Sequence, residues 1–192
     1  AGTFTLATLF SGKTPVMVNW TVGARNTLHA LELLGLPHIL TSRRLIQRLE
    51  SQVEGLTALK HRFIYLEDLA QSLPWKQKLL AKIRSRLSWR SLEKAVSPNP
   101  ALILFTSGSE NLPKAVPLTH ANLLANMRDV LSRMHLQADD RLIGFLPPFH
   151  SFGINCTVLF PLCGCVPTVY HANPTEGGTL ARLIEAYRVT LL

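Results

Sequence analysis

Cysteine, aromatic side chains and charge are all scarce in this sequence of 192 residues, which has three Cys, 7% aromatics and 17% charged residues. Cys156, Cys163 and Cys165 are too few and too clustered for a disulfide framework, and the Cys-x-Cys step lacks the second ligand pair of a structural zinc. No metal site is expected, and a reducing compartment is. From Leu142 to Thr175 there is no Asp, Glu, Lys or Arg. Pro147, Pro148, Pro161 and Pro167 nevertheless interrupt that stretch before any run reaches the ~20 apolar residues of a spanning helix. Buried sheet with connecting turns accounts for it better. The opening segment AGTFTLATLFSGK has no basic residue ahead of its apolar part, which a secretory signal would have. A cytoplasmic protein is the expectation.

What is present is a chain able to fold. Hydrophobic residues make up 47% of it, and a chain of this length can bury roughly 70% of its unfolded surface, which excludes a disordered protein. Charge is unevenly placed. Residues 1–42 hold two basic and one acidic side chain, 43–94 hold twelve and five, and 95–192 hold six and six, so nearly all of the net +8 lies in the middle. A local basic zone argues for one partner surface: anionic lipid, nucleic acid or an acidic protein. No zinc-ligand array or RNA-recognition aromatic signature accompanies it, so nucleic acid is not expected.

Short apolar runs alternate with helical periodicity. Strands are predicted at 16–19, 38–40, 62–66, 101–105, 141–146, 166–170 and 189–192. Helices are predicted near 25–35, 42–52, 75–91, 119–135, 151–162 and 178–187. That alternation implies an α/β fold, a mostly parallel sheet with helices on both faces. Thr119 is a candidate N-cap, with Leu123, Leu124, Met127, Val130, Leu131 and Met134 on the core face of its helix. Thr41-Ser42 is a second cap, ahead of Leu45, Ile46 and Leu49. The chain opens in an apolar segment and stops at a strand pattern, which suggests a fragment of something longer.

Residues 74–92, PWKQKLLAKIRSRLSWRSL, can form a helix with Leu79, Leu80, Ile83 and Leu87 on one face. Lys78, Lys82, Arg84 and Arg86 surround it, and Trp75 and Trp89 stand near its ends. Three readings stay open: an anionic membrane surface, acidic acyl carrier protein, or a surface helix whose Leu face packs on the sheet.

Residues 101–120, ALILFTSGSENLPKAVPLTH, carry the chemistry. A buried strand delivers the chain into Thr106-Ser107-Gly108-Ser109, and Lys114 follows. In an open α/β sheet ligands bind beyond the carboxyl ends of strands, where backbone N–H groups of small residues can approach an anion. The hydroxyls add donors and Lys114 adds countercharge, so a polyphosphate is one guest and an ordinary Ser/Gly surface turn is the other reading. Pro113 and Ala115 flank the Lys where a Walker loop needs Gly and Ser or Thr.

FTSGSENLPKAVPLTHANLL resembles the phosphate loop of the adenylate-forming superfamily, the acyl-CoA synthetases, luciferases and peptide-synthetase adenylation domains. LPPFHSFG at 146–153 resembles that superfamily's next motif. With Glu110, FIYLEDL at 63–69, VNWTVGARN at 18–26 and LTSRR at 40–44, the chain looks most like bacterial acyl-acyl carrier protein synthetases, in which the ligase is often joined to a 2-acylglycerophosphoethanolamine acyltransferase. Asn111 and Ala115 stand where the superfamily has Gly.

The resemblance implies part of the large amino-terminal domain over 1–192. Within it lie a first βαβ region at 1–73, the basic helix and linker at 74–98, and a phosphate-loop subdomain at 99–192, without the small carboxyl-terminal domain. It implies an ATP-dependent, AMP-forming fatty acid ligase acting with ATP and Mg²⁺, the Mg²⁺ ligands lying outside these residues. Thr106, Ser107, Gly108, Ser109, Glu110 and Lys114 would hold the phosphates. His150 would line the acyl-adenylate site, while His120 would simply pack. Partners would be a fatty acid and acyl carrier protein or coenzyme A, with a link to lysophospholipid reacylation and a peripheral seat on the cytoplasmic face of the inner membrane. The adenine and Mg²⁺ motif, the ribose-binding Asp and the later catalytic Lys are absent from the sequence, so the segment alone is expected not to turn over. The competing reading is a non-catalytic module binding nucleotide, lipid or carrier protein.

Overall fold

The computed structural model describes residues 2–50, 53, 55–106 and 112–192, with Ser91 described by its backbone alone. The chain begins with α1 (Gly2–Phe10) and α2 (Gly23–Leu33), then β1 (Ile39–Thr41), α3 (Arg43–Leu49) and β2 (Phe63–Tyr65). Ser42 caps α3 by accepting from Leu45 N–H at 3.2 Å. A 3₁₀ segment, Leu56–Arg62, leads into β2, which pairs with β1 in parallel: Ile39 with Phe63, Thr41 with Tyr65. Ala24 and Leu31 from α2, Ile46 and Leu49 from α3, and Leu56 and Leu59 form one buried cluster. Each such Leu or Ile contributes roughly 1.5–3 kcal/mol through burial. At the carboxyl ends of these strands, Arg43 N–H donates to Glu67, while its guanidinium reaches Asp68 at 2.7 Å and lies 4.3 Å over the Tyr65 ring. The LTSRR and FIYLEDL segments are thereby joined.

Helices α4 (Leu66–Ser72), α5 (Trp75–Leu87) and α6 (Arg90–Glu93) follow. The helix predicted to 91 ends at Leu87 because Ser88 is extended, at φ −153° and ψ 127°. Every residue of α5 is exposed. Packing of its Leu face on the sheet, one of the readings left open by the sequence, is not found among the described residues.

β3 (Leu102–Phe105) and β4 (Ala115–Leu118) form an antiparallel pair, then come α7 (His120–Arg133) and β5 (Leu142–Gly144). Next are α8 (Ser151–Ile154), a π-helical turn (Asn155–Leu159), α9 (Phe160–Cys163), β6 (Thr168–Tyr170) and α10 (Gly177–Tyr187). β5 and β6 pair in parallel, Leu142 with Thr168 and Gly144 with Tyr170. The fold is α/β, with two parallel pairs and one antiparallel pair among the described residues.

The strands expected at 16–19 and 189–192 shrink to single parallel bridges, Val16 to Ile103 and Leu142 to Leu191. The helix expected over 42–52 stops at Leu49, residues 51 and 52 lying outside the described set. Thr119 caps α7 through a reciprocal pair with Asn122: its hydroxyl accepts from Asn122 N–H at 3.1 Å, and its own N–H donates to Asn122 Oδ1 at 3.0 Å. Met127 is buried, whereas Leu124 and Met134 are exposed, so the apolar stripe of α7 is narrower than predicted. His120 packs as expected, its Nε2 3.1 Å from the Pro98 carbonyl. No helix among the described residues is long and apolar enough to cross a membrane.

Candidate functional site

β3 is flanked on both sides. Ile103 donates its N–H to the Pro15 carbonyl and accepts from Met17 N–H, both at 3.0 Å, so its backbone polar groups face away from β4. Ile103 therefore stands opposite Pro117 at a place where the ladder needs no N–H, and the proline is tolerated. Leu102 and Leu104 anchor β3 in a cluster with Ile154 and Val158.

At the end of β3 the two stems of the loop close on each other. Thr106 N–H donates to the Lys114 carbonyl, and Lys114 N–H donates to the Thr106 hydroxyl, each at 3.1 Å. The Thr106 hydroxyl thus spends an acceptor on the stem and keeps its own proton to donate. Thr106 and Lys114 are exposed, Pro113 between the stems is buried, and Lys114 makes no ion pair among the described residues. Ser107, Gly108, Ser109 and Glu110, like Asn111, lie outside the described residues.

Sequence reasoning gave no role to Asn19, and the structure places it beside this stem. Its side chain is 4% exposed. Oδ1 accepts from Thr21 N–H at 3.0 Å and from the Thr21 hydroxyl at 2.6 Å, which fixes the amide, while Nδ2 is buried without a partner among the described residues. Asn19, Asn26, Thr27, Phe105, Thr106 and Pro113 line a cleft of ≈10 Å³, far too small for a nucleotide. The available signal was the Asn-x-Thr step ahead of a helical turn, an N-cap pattern. A shallow, open hollow is lined by Arg25, His29 and Glu32 of α2 and by Gly55, Ala58 and Leu112.

Trp20, the neighbour of Asn19, meets the second motif. Its ring meets Phe149 edge-on, with centroids 5.5 Å apart at 75°. Phe149 is buried and lies against the ring of His150, 4.6 Å away. His150 is exposed and caps α8 with extended backbone, its carbonyl accepting from Ile154 N–H at 2.9 Å. The tightness of this block explains Gly153: a Cβ there would overlap the Pro147 carbonyl. Segment 18–22 therefore touches both the stem of the first motif and the aromatic base of the second. Behind it, Cys156 is held neutral more firmly than an ordinary thiol, because burial pushes its pKa up. The Tyr170 phenol is likewise pushed up by burial and donates to the Thr157 carbonyl at 2.6 Å.

A family model described as AMP-binding enzyme matches residues 3–192. Rice (Oryza sativa subsp. japonica) 4-coumarate–CoA ligase-like 4 is 32% identical over 108 residues, which cover 54% of this chain and 19% of that protein. The long-chain-fatty-acid–AMP ligase FadD32 of Mycolicibacterium smegmatis is 31% identical over 77 residues, covering 40% of this chain and 12% of the relative. Among solved structures, o-succinylbenzoate CoA synthetase from Bacillus subtilis, bound to its acyl-adenylate intermediate, superimposes with a TM-score of 0.67 at 19% identity. That match covers 96% of this chain and 43% of the other, and it shows the shared fold. The chain spans less than half the length of each of these proteins.

Proposed function

The chain belongs to the AMP-binding enzyme family, and we propose that it is part of an AMP-forming fatty acid ligase whose phosphate loop runs from Thr106 to Lys114. Its relatives are acid–CoA and acid–AMP ligases. In the proposed reaction a carboxylate oxygen attacks the α-phosphorus of ATP and pyrophosphate leaves. A thiol sulfur then attacks the acyl carbonyl and AMP leaves. Catalysis of this kind rests on donors and cations placed where charge develops.

The observation that carries the reading is the Thr106–Lys114 stem at the carboxyl end of β3. It holds a cation that makes no ion pair among the described residues, and a hydroxyl proton, at the mouth of the loop, and Ser107, Gly108, Ser109 and Glu110 complete the cradle in this proposal. Mg²⁺ would supply further countercharge on the phosphates. His150, exposed on its aromatic base, lines the acyl side. The 31% identity to a long-chain-fatty-acid–AMP ligase supports a fatty acid as the carboxylate.

The finer assignment is acyl carrier protein, or else coenzyme A, as the thiol, with the product feeding lysophospholipid reacylation. It rests on Glu110 and the FIYLEDL, VNWTVGARN and LTSRR segments. It carries with it a cytoplasmic place of work, peripheral to a membrane. The same assignment divides the chain into 1–73, 74–98 and 99–192.

Calorimetric titration with Mg-ATP tests the loop. The chain should bind, and Lys114→Ala should weaken binding on the order of tenfold to a hundredfold, the worth of a hydrogen bond to a charged group. Identical heats for both would remove Lys114 from its role. No binding by the chain would favour a module without nucleotide chemistry.

A further inference from the structure

We infer that α5 lies flat on an anionic phospholipid surface, with the face of Leu79, Leu80, Ile83 and Leu87 entering the headgroup boundary. Leu79, Ile83 and Leu87 recur every fourth residue, and Leu80 extends the same side. Each is exposed, Leu87 by 79%, and none enters a buried cluster of the described residues. The face is therefore apolar and, among the described residues, unoccupied.

Charge selects the occupant. Residues 74–92 carry Lys76, Lys78, Lys82, Arg84, Arg86 and Arg90, and no acidic residue lies between Asp68 and Glu93. None of the six makes an ion pair with another described residue. Lys82 and Arg86 lie along one border of the apolar face and Arg84 along the other, where long side chains can reach phosphate headgroups while Leu and Ile sit deeper. Trp75 and Trp89, 68% and 67% exposed, stand just outside the helix core at its two ends, at the depth amphipathic rings prefer. An acidic protein would satisfy the cations and leave the apolar face and both indoles without use. A lipid surface satisfies all three.

This inference rests on the reading of the chain as a ligase peripheral to a membrane, and it names the element that makes the contact. The test is sedimentation of the chain with vesicles of phosphatidylcholine alone, or of phosphatidylcholine with phosphatidylglycerol, followed by Trp emission and with Mg-ATP calorimetry alongside. Capture by anionic vesicles should be on the order of tenfold stronger and should fade between about 50 mM and 500 mM salt. Emission should shift to the blue as Trp75 and Trp89 leave water. Lys82→Glu with Arg86→Glu should abolish the preference for anionic vesicles. Leu79→Ser with Ile83→Ser should abolish the blue shift, and circular dichroism should remain unchanged because all four side chains are exposed. Equal capture by both vesicle types, or variants that behave like the parent, would overturn the inference, as would binding to purified acyl carrier protein without vesicle capture. Loss of vesicle capture with Mg-ATP binding intact defeats this inference alone. Vesicle capture without Mg-ATP binding defeats the ligase reading alone.

Discussion

Thr106 and Lys114 hold each other across the loop stem: Thr106 N–H reaches the Lys114 carbonyl, and Lys114 N–H reaches the Thr106 hydroxyl, both at 3.1 Å. Thr106→Ala removes the hydroxyl and leaves the Lys114 N–H to water, so the stem loosens where the lysine must be aimed. The expected cost is about 1 kcal/mol of stability, the net worth of one such bond, together with weaker Mg-ATP binding. Thr106→Ser keeps the acceptor and should match the parent in both denaturant midpoint and calorimetry. If the serine variant loses as much as the alanine variant, the methyl group and not the hydroxyl holds the stem.

Gly153 tests the packing under His150. A Cβ at 153 meets the Pro147 carbonyl, which is backbone and cannot swing aside. Gly153→Ala should cost about 1–3 kcal/mol, as overpacking does. It should also alter Trp20 emission, since Trp20 rests on Phe149 in the same block. Gly178→Ala is the control, because an added Cβ there meets nothing within 4 Å and the residue lies in the first turn of α10, so the exchange should leave the midpoint unchanged or slightly raised. Urea unfolding of both variants gives the comparison. Equal midpoints would show that the α8 turn relaxes freely.

The strands legible in the sequence were those whose apolar, β-branched runs end in turn residues: β2, β3, β5 and β6 fall inside predicted segments, and β1 runs one residue past its own, to Thr41. β4 was illegible because Pro117 argues against a strand. Only the tertiary pairing of Ile103 with Pro15 and Met17 makes that proline harmless. α1 was missed because GTFTLATLF carries three Thr and has no capping residue ahead of it. At the site, the order of Thr106, Lys114 and His150 was readable as two motifs. Asn19 and Trp20 were not, because their part depends on distant segments, the cleft Asn19 lines with Thr106 in one case and the Phe149 ring against Trp20 in the other. The basic helix was readable in pattern, while the exposure of its apolar face required the fold.

The three thiols should separate by rate. Cys163 and Cys165 are exposed, whereas Cys156 is half-buried with its pKa pushed up by desolvation. A thiol reagent attacks the thiolate, so at neutral pH two equivalents should react quickly and the third slowly. Denaturant should merge the phases, and Cys156→Ser should remove only the slow one. A fast phase of three equivalents would mean that Cys156 is open to solvent.

Asp140 sets an acid limb of stability. Its carboxylate accepts from the Thr190 hydroxyl at 2.6 Å and from Gln137 N–H at 2.7 Å, and these bonds hold its pKa below the usual carboxylate value, the Thr190 bond counting most. Thr190 in turn accepts from Arg141 N–H and donates its own N–H to the Arg141 carbonyl, next to the Leu142–Leu191 bridge. Because the folded pKa is depressed, the stabilisation is complete above the ordinary value near 4 and disappears as pH falls from there through the lowered one. Asp140→Asn keeps an acceptor oxygen but has no charge to lose. Urea midpoints measured between about pH 2 and pH 6 should therefore show the parent above the variant at pH 6, with the gap closing toward pH 2. Glu176, also lowered, by Asn173 and His171, acts in the same window and remains in both proteins, so it cancels in the difference. Two curves that run parallel across the range would mean that the Thr190 bond does not depend on the ionised carboxylate.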